Sequence, residues 1–286
     1  MNKIFMNRLT MLAVTLIASM ACFAQGKLTT GFPADGLKKG ATFDHMGVKY
    51  QITVDPVEDQ NVYYVEAIGF ETNLLNDYSL MDKKPLENDL TIFHVKKPNA
   101  SEGETGNSFV VLSVAANAFQ TVDPDLAVKI ERLIIEYSED GLANNGVIAL
   151  PSSGSTFAGL TGLTEVVSVI PGAKVGAISK TSFDANVYKT APLVVPAENM
   201  GKYANKKGWK EFFILKDDGG KVLGDTNGDG DLNATDYTKL YNEIKKAIKN
   251  GTSVTYSTYK DLNGDGEVNA TDYSLLYTII KRNLNN

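Results

Sequence analysis

Strand-like patterns of apolar positions recur in the first two thirds of the chain. Four segments carry strand-like patterns, namely residues 48–54, 61–68, 109–114 and 192–196. A period of two, with β-branched and aromatic side chains, is typical of β-strands. Helical patterns are few here: residues 123–137 are ambiguous, and residues 197–209 are expected to hold one helix. The pattern therefore predicts a β-rich domain.

The last part of the chain changes to a helical period. Apolar residues recur at helical spacing in two stretches, Tyr237, Leu240, Tyr241, Ile244 and Ile248, then Tyr273, Leu276, Tyr277, Ile280 and Leu284. Each stripe predicts a helix with one apolar face. Because neither helix can bury its face alone, we expect the two to pack on each other, roughly antiparallel.

A repeat of 36 residues underlies these two helices. Residues 225–248 and 261–284 align without a gap, and 14 of the 24 positions are identical. A polar turn rich in Asp, Asn and Gly does not recur by chance with this spacing. The two copies are therefore predicted to be duplicated loop–helix units.

Each copy begins with acidic and amide side chains at alternate loop positions. Calcium takes six to eight oxygen ligands, which a twelve-residue loop can supply from alternate positions. The first copy offers Asp225, Asn227, Asp229, the backbone carbonyl of Asp231, Asn233 (often through a water) and Asp236. The second offers Asp261, Asn263, Asp265, the backbone carbonyl of Glu267, Asn269 and Asp272. Gly230 and Gly266 take the sixth position, where the loop turns with positive φ. We predict two bound calcium ions.

The repeated pattern DxNxDGxxNxxD followed by a helix resembles the type I dockerin family. The resemblance covers roughly residues 221–284. The twelfth loop residue is Asp where an ordinary EF-hand has Glu, and no amphipathic helix precedes the first loop. The resemblance implies a small α-helical domain with two EF-hand-like loops. It also implies a partner, the cohesin domain of another exported protein.

In that family the residues just before the last ligand contact the cohesin. They correspond here to Ala234 and Thr235 and, in the second copy, to Ala270 and Thr271. One turn into each helix, where the family often has a basic pair, this chain has Tyr241-Asn242 and Tyr277-Thr278. Tyr241 and Tyr277 are predicted either to bind the partner or to lie in the helix interface. Since the copies are alike, a cohesin is expected to accept either one, in two orientations.

Fragments of the β-rich part resemble the leucine-rich repeats of bacterial surface proteins of the BspA-like type. The fragments are residues 115–119, 157–166, 182–183, 193–196, Tyr203 and 208–212. The resemblance implies a degenerate, stacked β-rich array with a binding or display role. Trp209, the sole tryptophan, is expected to plug the core of the last repeat, the alternative being an exposed aromatic that stacks on carbohydrate.

The first 24 residues have the character of a secretory signal peptide. Lys3 and Arg8 precede an apolar run that ends in small residues, and cleavage after Ala24 would remove the only cysteine, Cys22. Lipidation at Cys22 is the alternative. No later run is long and apolar enough to cross a membrane. The formal net charge is −6, and the two loops alone hold eight carboxylates, so nothing indicates nucleic acid or an anionic membrane as a partner.

Catalytic motifs are absent from the sequence. It has two histidines, without an HExxH pair, and neither GxSxG nor a phosphate-binding loop. We therefore expect a secreted or cell-surface protein that is not an enzyme. The alternative is a polysaccharide-degrading enzyme (a glycoside hydrolase) or a carbohydrate-binding component carried on a dockerin tether. In another alternative, the calcium module is purely an intramolecular cap.

The predicted fold class is α+β. Residues 1–24 form the signal peptide, residues 25–218 a β-rich, leucine-rich-repeat-like domain, and residues 219–286 a dockerin-like calcium-binding domain. Docking onto a cohesin would then display the β-rich domain, whose own ligand would be a carbohydrate or a protein.

Overall fold

The computed structural model describes residues 38–45, 48–54, 62–70, 89–92, 108–122, 124–135, 137 and 147–285. The predicted signal peptide lies outside these residues. The strands within them are β1 Thr42–His45, β2 Val48–Ile52, β3 Val62–Phe70, β4 Asp89–Ile92, β5 Ser108–Val114, β6 Arg132–Ile135, β7 Glu165–Ser168, β8 Leu193–Val194 and β9 Leu215–Lys216. The α-helices are α1 Pro124–Ala127, α2 Ala185–Thr190, α3 Met200–Ala204, α4 Ala234–Asn250 and α5 Ala270–Leu284.

The strands form two sheets. The first has the order β1-β2-β3-β5, in which β1, β2 and β3 are antiparallel and β5 runs parallel to β3. The second has the order β4-β6-β7-β8-β9 and is parallel throughout. Short strands that are almost continuously apolar, such as β6 and β8, are typical of a buried parallel sheet. The predicted strands at 48–54, 61–68, 109–114 and 192–196 are all present.

A column of aromatic rings runs beside the parallel strands. Phe119 stacks on Phe157 with ring centroids 5.8 Å apart, and Phe157 stacks on Phe183 at 5.1 Å. Phe70 and Phe212 extend the column at its two ends, each in an edge-to-face contact. Successive loops are also tied by backbone bonds, Phe119 N–H to the Thr156 carbonyl and Phe157 N–H to the Ser182 carbonyl. Successive turns of chain therefore stack on one another, ring on ring.

Two sequence expectations for this region are refined. The ambiguous residues 123–137 contain the four-residue helix α1 and then the buried strand β6. The helix expected within residues 197–209 is present as α3, but it has only five residues, Met200–Ala204, between two 3-10 turns. Gly208, at φ +82°, ends the segment, and a Cβ there would lie 2.4 Å from Ile178. Trp209 is 1% exposed, so the prediction that it plugs the core is confirmed.

Helices α4 and α5 pack on each other as predicted, with buried seams made by Leu240 and Ile244 on α4 and by Leu276 and Ile280 on α5. The prediction that the apolar stripe of each helix would be buried between the helices was partly wrong. Tyr241 and Tyr277 are 44% and 49% exposed, and Ile248 and Leu284 are 75% and 78% exposed. Tyr241 and Tyr277 each lie about 100° around the helix from the seam residue that precedes them. Ile248 and Leu284 lie near the C-terminal ends of their helices. Within the described residues, no helix has the length and apolarity that a membrane span requires.

Candidate calcium sites and partner surface

Each helix of the module begins at the end of a polar loop. Asn233 is the N-cap of α4, and its side chain accepts a hydrogen bond from the Thr235 N–H at 2.8 Å. Asn269 caps α5 in the same way through the Thr271 N–H. The third helical residue completes a capping box in both copies, since its carboxylate accepts from the N–H of the cap residue at 2.9 Å. The loop sequence thus fixes where each helix starts.

Those third residues, Asp236 and Asp272, are fully buried at 0% exposure. Asp236 Oδ1 accepts from the N–H groups of Thr226 and Asn227 at 2.9 and 3.2 Å. In the second copy, Asp272 Oδ1 accepts from the N–H groups of the equivalent residues, Leu262 and Asn263, at 2.8 and 3.3 Å. Each carboxylate therefore ties the start of its loop to the start of its helix.

The first carboxylate of each loop faces the glycine turn. Asp225 accepts from the N–H groups of Gly228 and Gly230 at 2.6 and 2.9 Å. Asp261 accepts from the Gly266 N–H at 2.9 Å. Gly230 and Gly266 have φ of +90° and +94°, so the predicted left-handed turn at the sixth position is present in both loops. This turn folds the loop around its own carboxylates.

The remaining predicted side chains line the same loops. Asn227 accepts from the Asp229 N–H at 2.8 Å, and its amide donates to the Asp229 carboxylate at 2.7 Å. Asn263 and Asp265 repeat both contacts at 2.9 and 2.7 Å. Asp231 and Glu267 are exposed and donate their N–H groups to the carboxylates two residues earlier. The amide oxygens of Asn233 and Asn269 are engaged as helix caps.

Three carboxylates of the first loop come close enough to share a cation. One oxygen from each of Asp225, Asp229 and Asp236 lies within 4.8 Å of the others. Two oxygens bound to one calcium at 2.3–2.6 Å can be at most about 5 Å apart, so this set fits the ion. Within the described residues, the equivalent Asp261, Asp265 and Asp272 do not bring one oxygen each within 4.8 Å of the others.

The protein environment moves two carboxyl pKa values of the second loop in opposite directions. Burial raises the pKa of Asp272 above its ordinary value, against the backbone hydrogen bonds that it accepts, and nearby Asp261 adds to the rise. The pKa of Asp265 is lowered, first by the Glu267 N–H and then by the Asn263 amide. A buried carboxylate beside a second acidic group is an arrangement that a cation stabilises.

The residues predicted to meet a partner lie on the surface. Ala234, Thr235, Ala270 and Thr271 are all exposed, which argues against the alternative in which the module is only an internal cap. Tyr241 and Tyr277 lie at the edge of the helix interface, and their binding to a partner stays a prediction. Their rings contact Tyr273 and Tyr237, respectively, at 5.5 and 5.4 Å between centroids, while about half of each side chain is exposed.

The fold and the site define a module of two loop–helix units with acidic loops. Residues 223–285 match the family model of the dockerin type I domain. Domains of this family bind calcium and dock onto cohesin domains. No curated protein and no solved structure gives a significant match to the chain. The leucine-rich-repeat resemblance of the β-rich part therefore stays a prediction.

Sequence reasoning missed the residues that join the module to the β-rich part. Lys202 Nζ donates to the Gly264 carbonyl in the second loop, and Asn205 donates to the Leu262 carbonyl at 2.9 Å. The side chain of Arg282 donates to two carbonyls of the segment that follows Gly208. The sequence did contain an indication of this contact. When the two copies are aligned, their helices differ most on one face.

Proposed function

We propose that residues 219–286 form a calcium-loaded dockerin module that docks this protein onto the cohesin domain of another exported protein. In this proposal the two loops bind one calcium ion each, through the twelve ligand positions predicted from the sequence. The match to the dockerin type I domain supports the class of partner and the class of metal. The near-identical hydrogen bonds of Asp236 and Asp272 support two sites of one design.

One observation carries the proposal. The buried carboxylate that closes each loop is the third residue of a helix, and the Ala-Thr pair that begins this helix is exposed in both copies. Metal in the loop would therefore hold the first turn of the helix in position, and with it the surface offered to the partner. Calcium present at a hundredfold its dissociation constant stabilises a folded site by about 2.7 kcal/mol.

The β-rich part is proposed as a displayed binding domain. Its parallel sheet and the column of Phe119, Phe157 and Phe183 support a stacked, repeat-like array. Because Trp209 is buried, it offers no exposed ring to a carbohydrate. Export by a leader at residues 1–24 belongs to the same proposal, since a cohesin partner is met outside the cell. The enzyme alternative rests on carboxylates that meet only in the fold, and it stays a prediction.

The test is a binding measurement between the chain and immobilised cohesin domains from the same genome. We expect binding in calcium and none in EDTA. The double variant Ala234→Glu/Ala270→Glu places a larger, charged side chain at the predicted contact position of each copy, so it should abolish binding whichever copy the cohesin uses. Glutamate is tolerated in the first turn of a helix, so the variant should still fold. A matched control, Ser253→Asp, changes an exposed residue outside both copies and should bind normally. Equal binding in calcium and EDTA would contradict the proposal.

A further inference from the structure

The two helices of the module share a buried seam but differ on one outer face. Lys239 and Glu243 of α4 correspond, 36 residues later, to Leu275 and Ile279 of α5. Residues four apart lie on the same side of a helix, so a charged strip on the first copy is replaced by an apolar strip on the second. In α4 this strip borders an open groove whose lining also includes Ala234 and Thr235.

The apolar strip of α5 is covered by the same chain. Leu275 and Ile279 are partly buried and pack against the continuous hydrophobic core. Ile279 lines a narrow crevice together with Phe213 and Leu215, which belong to the end of the β-rich part. The substitution of apolar for charged residues in the second copy therefore coincides with burial against the preceding domain.

Arg282, near the end of α5, secures this contact. Its two terminal nitrogens donate to the carbonyls of Lys210 and Phe212 at 2.6 and 2.9 Å. Its guanidinium lies over the ring of Phe213, 4.5 Å from the centroid. The equivalent residue of the first copy, Lys246, is exposed and lines the open groove. Charge-assisted hydrogen bonds of this kind hold α5 to the β-rich part. On α4, Glu243 accepts such a bond from Lys260 at 2.6 Å, but Lys260 belongs to the module itself.

Among the described residues, the turn at Gly264 in the second loop contacts α3, whereas the equivalent turn at Gly228 in the first loop has no such contact. A Cβ on Gly201, in α3, would lie 2.5 Å from the backbone nitrogen of Gly264 in the second loop, so the two backbones are in close contact. Lys202 and Asn205 donate to the carbonyls of Gly264 and Leu262. At Gly228, the equivalent of Gly264 in the first loop, an added Cβ would meet nothing within 4 Å.

We propose that the two copies have separate roles. The second copy docks the module onto residues 200–213 of its own chain, and the first copy alone takes the external partner, in a single orientation. The partner's identity as a cohesin rests on the proposed function above. The repeat in the sequence predicts two interchangeable orientations. However, Ile279 and Arg282 of α5, which are equivalent to two residues lining the α4 groove, contact the β-rich part.

The docking of the second copy is tested on the calcium-loaded full chain without any partner. Trp209, the sole tryptophan, lies between α3 and the residues that Arg282 holds, so its fluorescence reports unfolding at this interface. Arg282→Ala should lower the midpoint of the thermal transition by about 2–4 °C, whereas Lys246→Ala, at the equivalent position of the first copy, should leave it unchanged. Ile279→Glu, which gives α5 the residue found in α4, should act like Arg282→Ala. Equal midpoints for Arg282→Ala, Ile279→Glu and Lys246→Ala would overturn the proposal.

The single orientation is tested with a cohesin domain that binds the chain. Ala234→Glu should weaken binding by at least about a hundredfold, as expected when a charge is buried without a partner, and Ala270→Glu should leave it unchanged. Two interchangeable orientations would instead give a loss of about twofold for each single variant, and this result would overturn the proposal. If no cohesin binds, the proposed function fails, while the tryptophan measurement still decides whether the second copy is docked.

Discussion

Tyr237 and Tyr273, the same residue in the two copies, stack on each other with ring centroids 4.3 Å apart. The flanking contacts are reciprocal: Tyr237 meets Tyr277 at 5.4 Å, and Tyr241 meets Tyr273 at 5.5 Å. A local two-fold axis passing between Tyr237 and Tyr273 produces such a pattern, with the helices running in opposite directions. The hydroxyl of Tyr273 also donates to that of Tyr237. The four rings form the central contact of the module.

Removal of one central ring should destabilise the module. Tyr273→Ala is expected to lower the free energy of unfolding by about 1–3 kcal/mol, because a half-buried ring and its stacking contacts are lost. Tyr273→Phe keeps the ring and should cost no more than about 1 kcal/mol, the usual contribution of one hydrogen bond. Urea denaturation followed by circular dichroism measures both. A phenylalanine variant as unstable as the alanine variant would show that stacking is not the main contribution.

Gly201→Ala should weaken the contact between α3 and the second loop. The added Cβ would lie 2.5 Å from the nitrogen and 2.6 Å from the Cα of Gly264, so the two backbones must separate. In an isolated helix the same change is favourable by about 1 kcal/mol. We therefore expect a lower thermal midpoint and weaker calcium binding at one site.

The matched control for this change is Gly176→Ala. A Cβ at Gly176 meets nothing within 4 Å, and the carbonyl that accepts from Trp209 is retained. This variant should keep the wild-type midpoint and calcium affinity. If the Gly201→Ala variant is more stable than the wild type and its calcium affinity is unchanged, the second loop does not contact α3.

Calcium removal should loosen both helices of the module. Their packing buries a small core, and each loop holds four carboxylates that repel one another without a cation. Hydrogen exchange on the full chain should show loss of protection in Ala234–Asn250 and Ala270–Leu284 when EDTA replaces calcium. Protection of Val62–Phe70, in the first sheet, serves as the internal control and should be retained. Unchanged protection of both helices in EDTA would count against metal-dependent folding.

Alkaline pH should act on the hydrogen bond between Tyr259 and Asp217. The Tyr259 hydroxyl donates to the Asp217 carboxylate at 2.7 Å. Burial and this carboxylate raise the pKa of Tyr259 to about 12, above its ordinary value of 10.0. The folded-state pKa is the higher one, so the stabilisation is fully present below pH 10 and is lost as the pH rises through 12.

Tyr259→Phe removes the hydrogen bond to Asp217 and, with it, the pH dependence that Tyr259 gives to the stability. Between pH 10 and pH 12, the free energy of unfolding should fall less steeply for the variant than for the wild-type chain. Urea denaturation across this range gives both slopes, and the other tyrosines contribute equally to each. Parallel slopes would show that Tyr259 does not titrate as its surroundings imply.

The sequence was sufficient for features that depend on neighbouring residues. The alternate carboxylates, the glycine at the sixth position and the helix that follows each loop all recur in the structure, because local hydrogen bonds determine them. Contacts between segments that are far apart in the sequence could not be predicted from it. The exposure of Tyr241 and the closeness of Gly201 to Gly264 depend on how α4, α5 and α3 meet in space. The contrast of Lys239 and Glu243 in the first copy with Leu275 and Ile279 in the second was the sequence feature that indicated a neighbour on one helix face.

The central claim is that each loop binds one calcium ion through the buried aspartate in the first turn of the helix that follows. Calorimetric titration of the full chain should count two ions for the wild type, one each for Asp236→Ala and Asp272→Ala, and none for the double variant. Asp218→Ala, which removes an exposed carboxylate outside both loops, should still bind two. Two ions in either single variant, or none in the wild-type chain, would contradict the account.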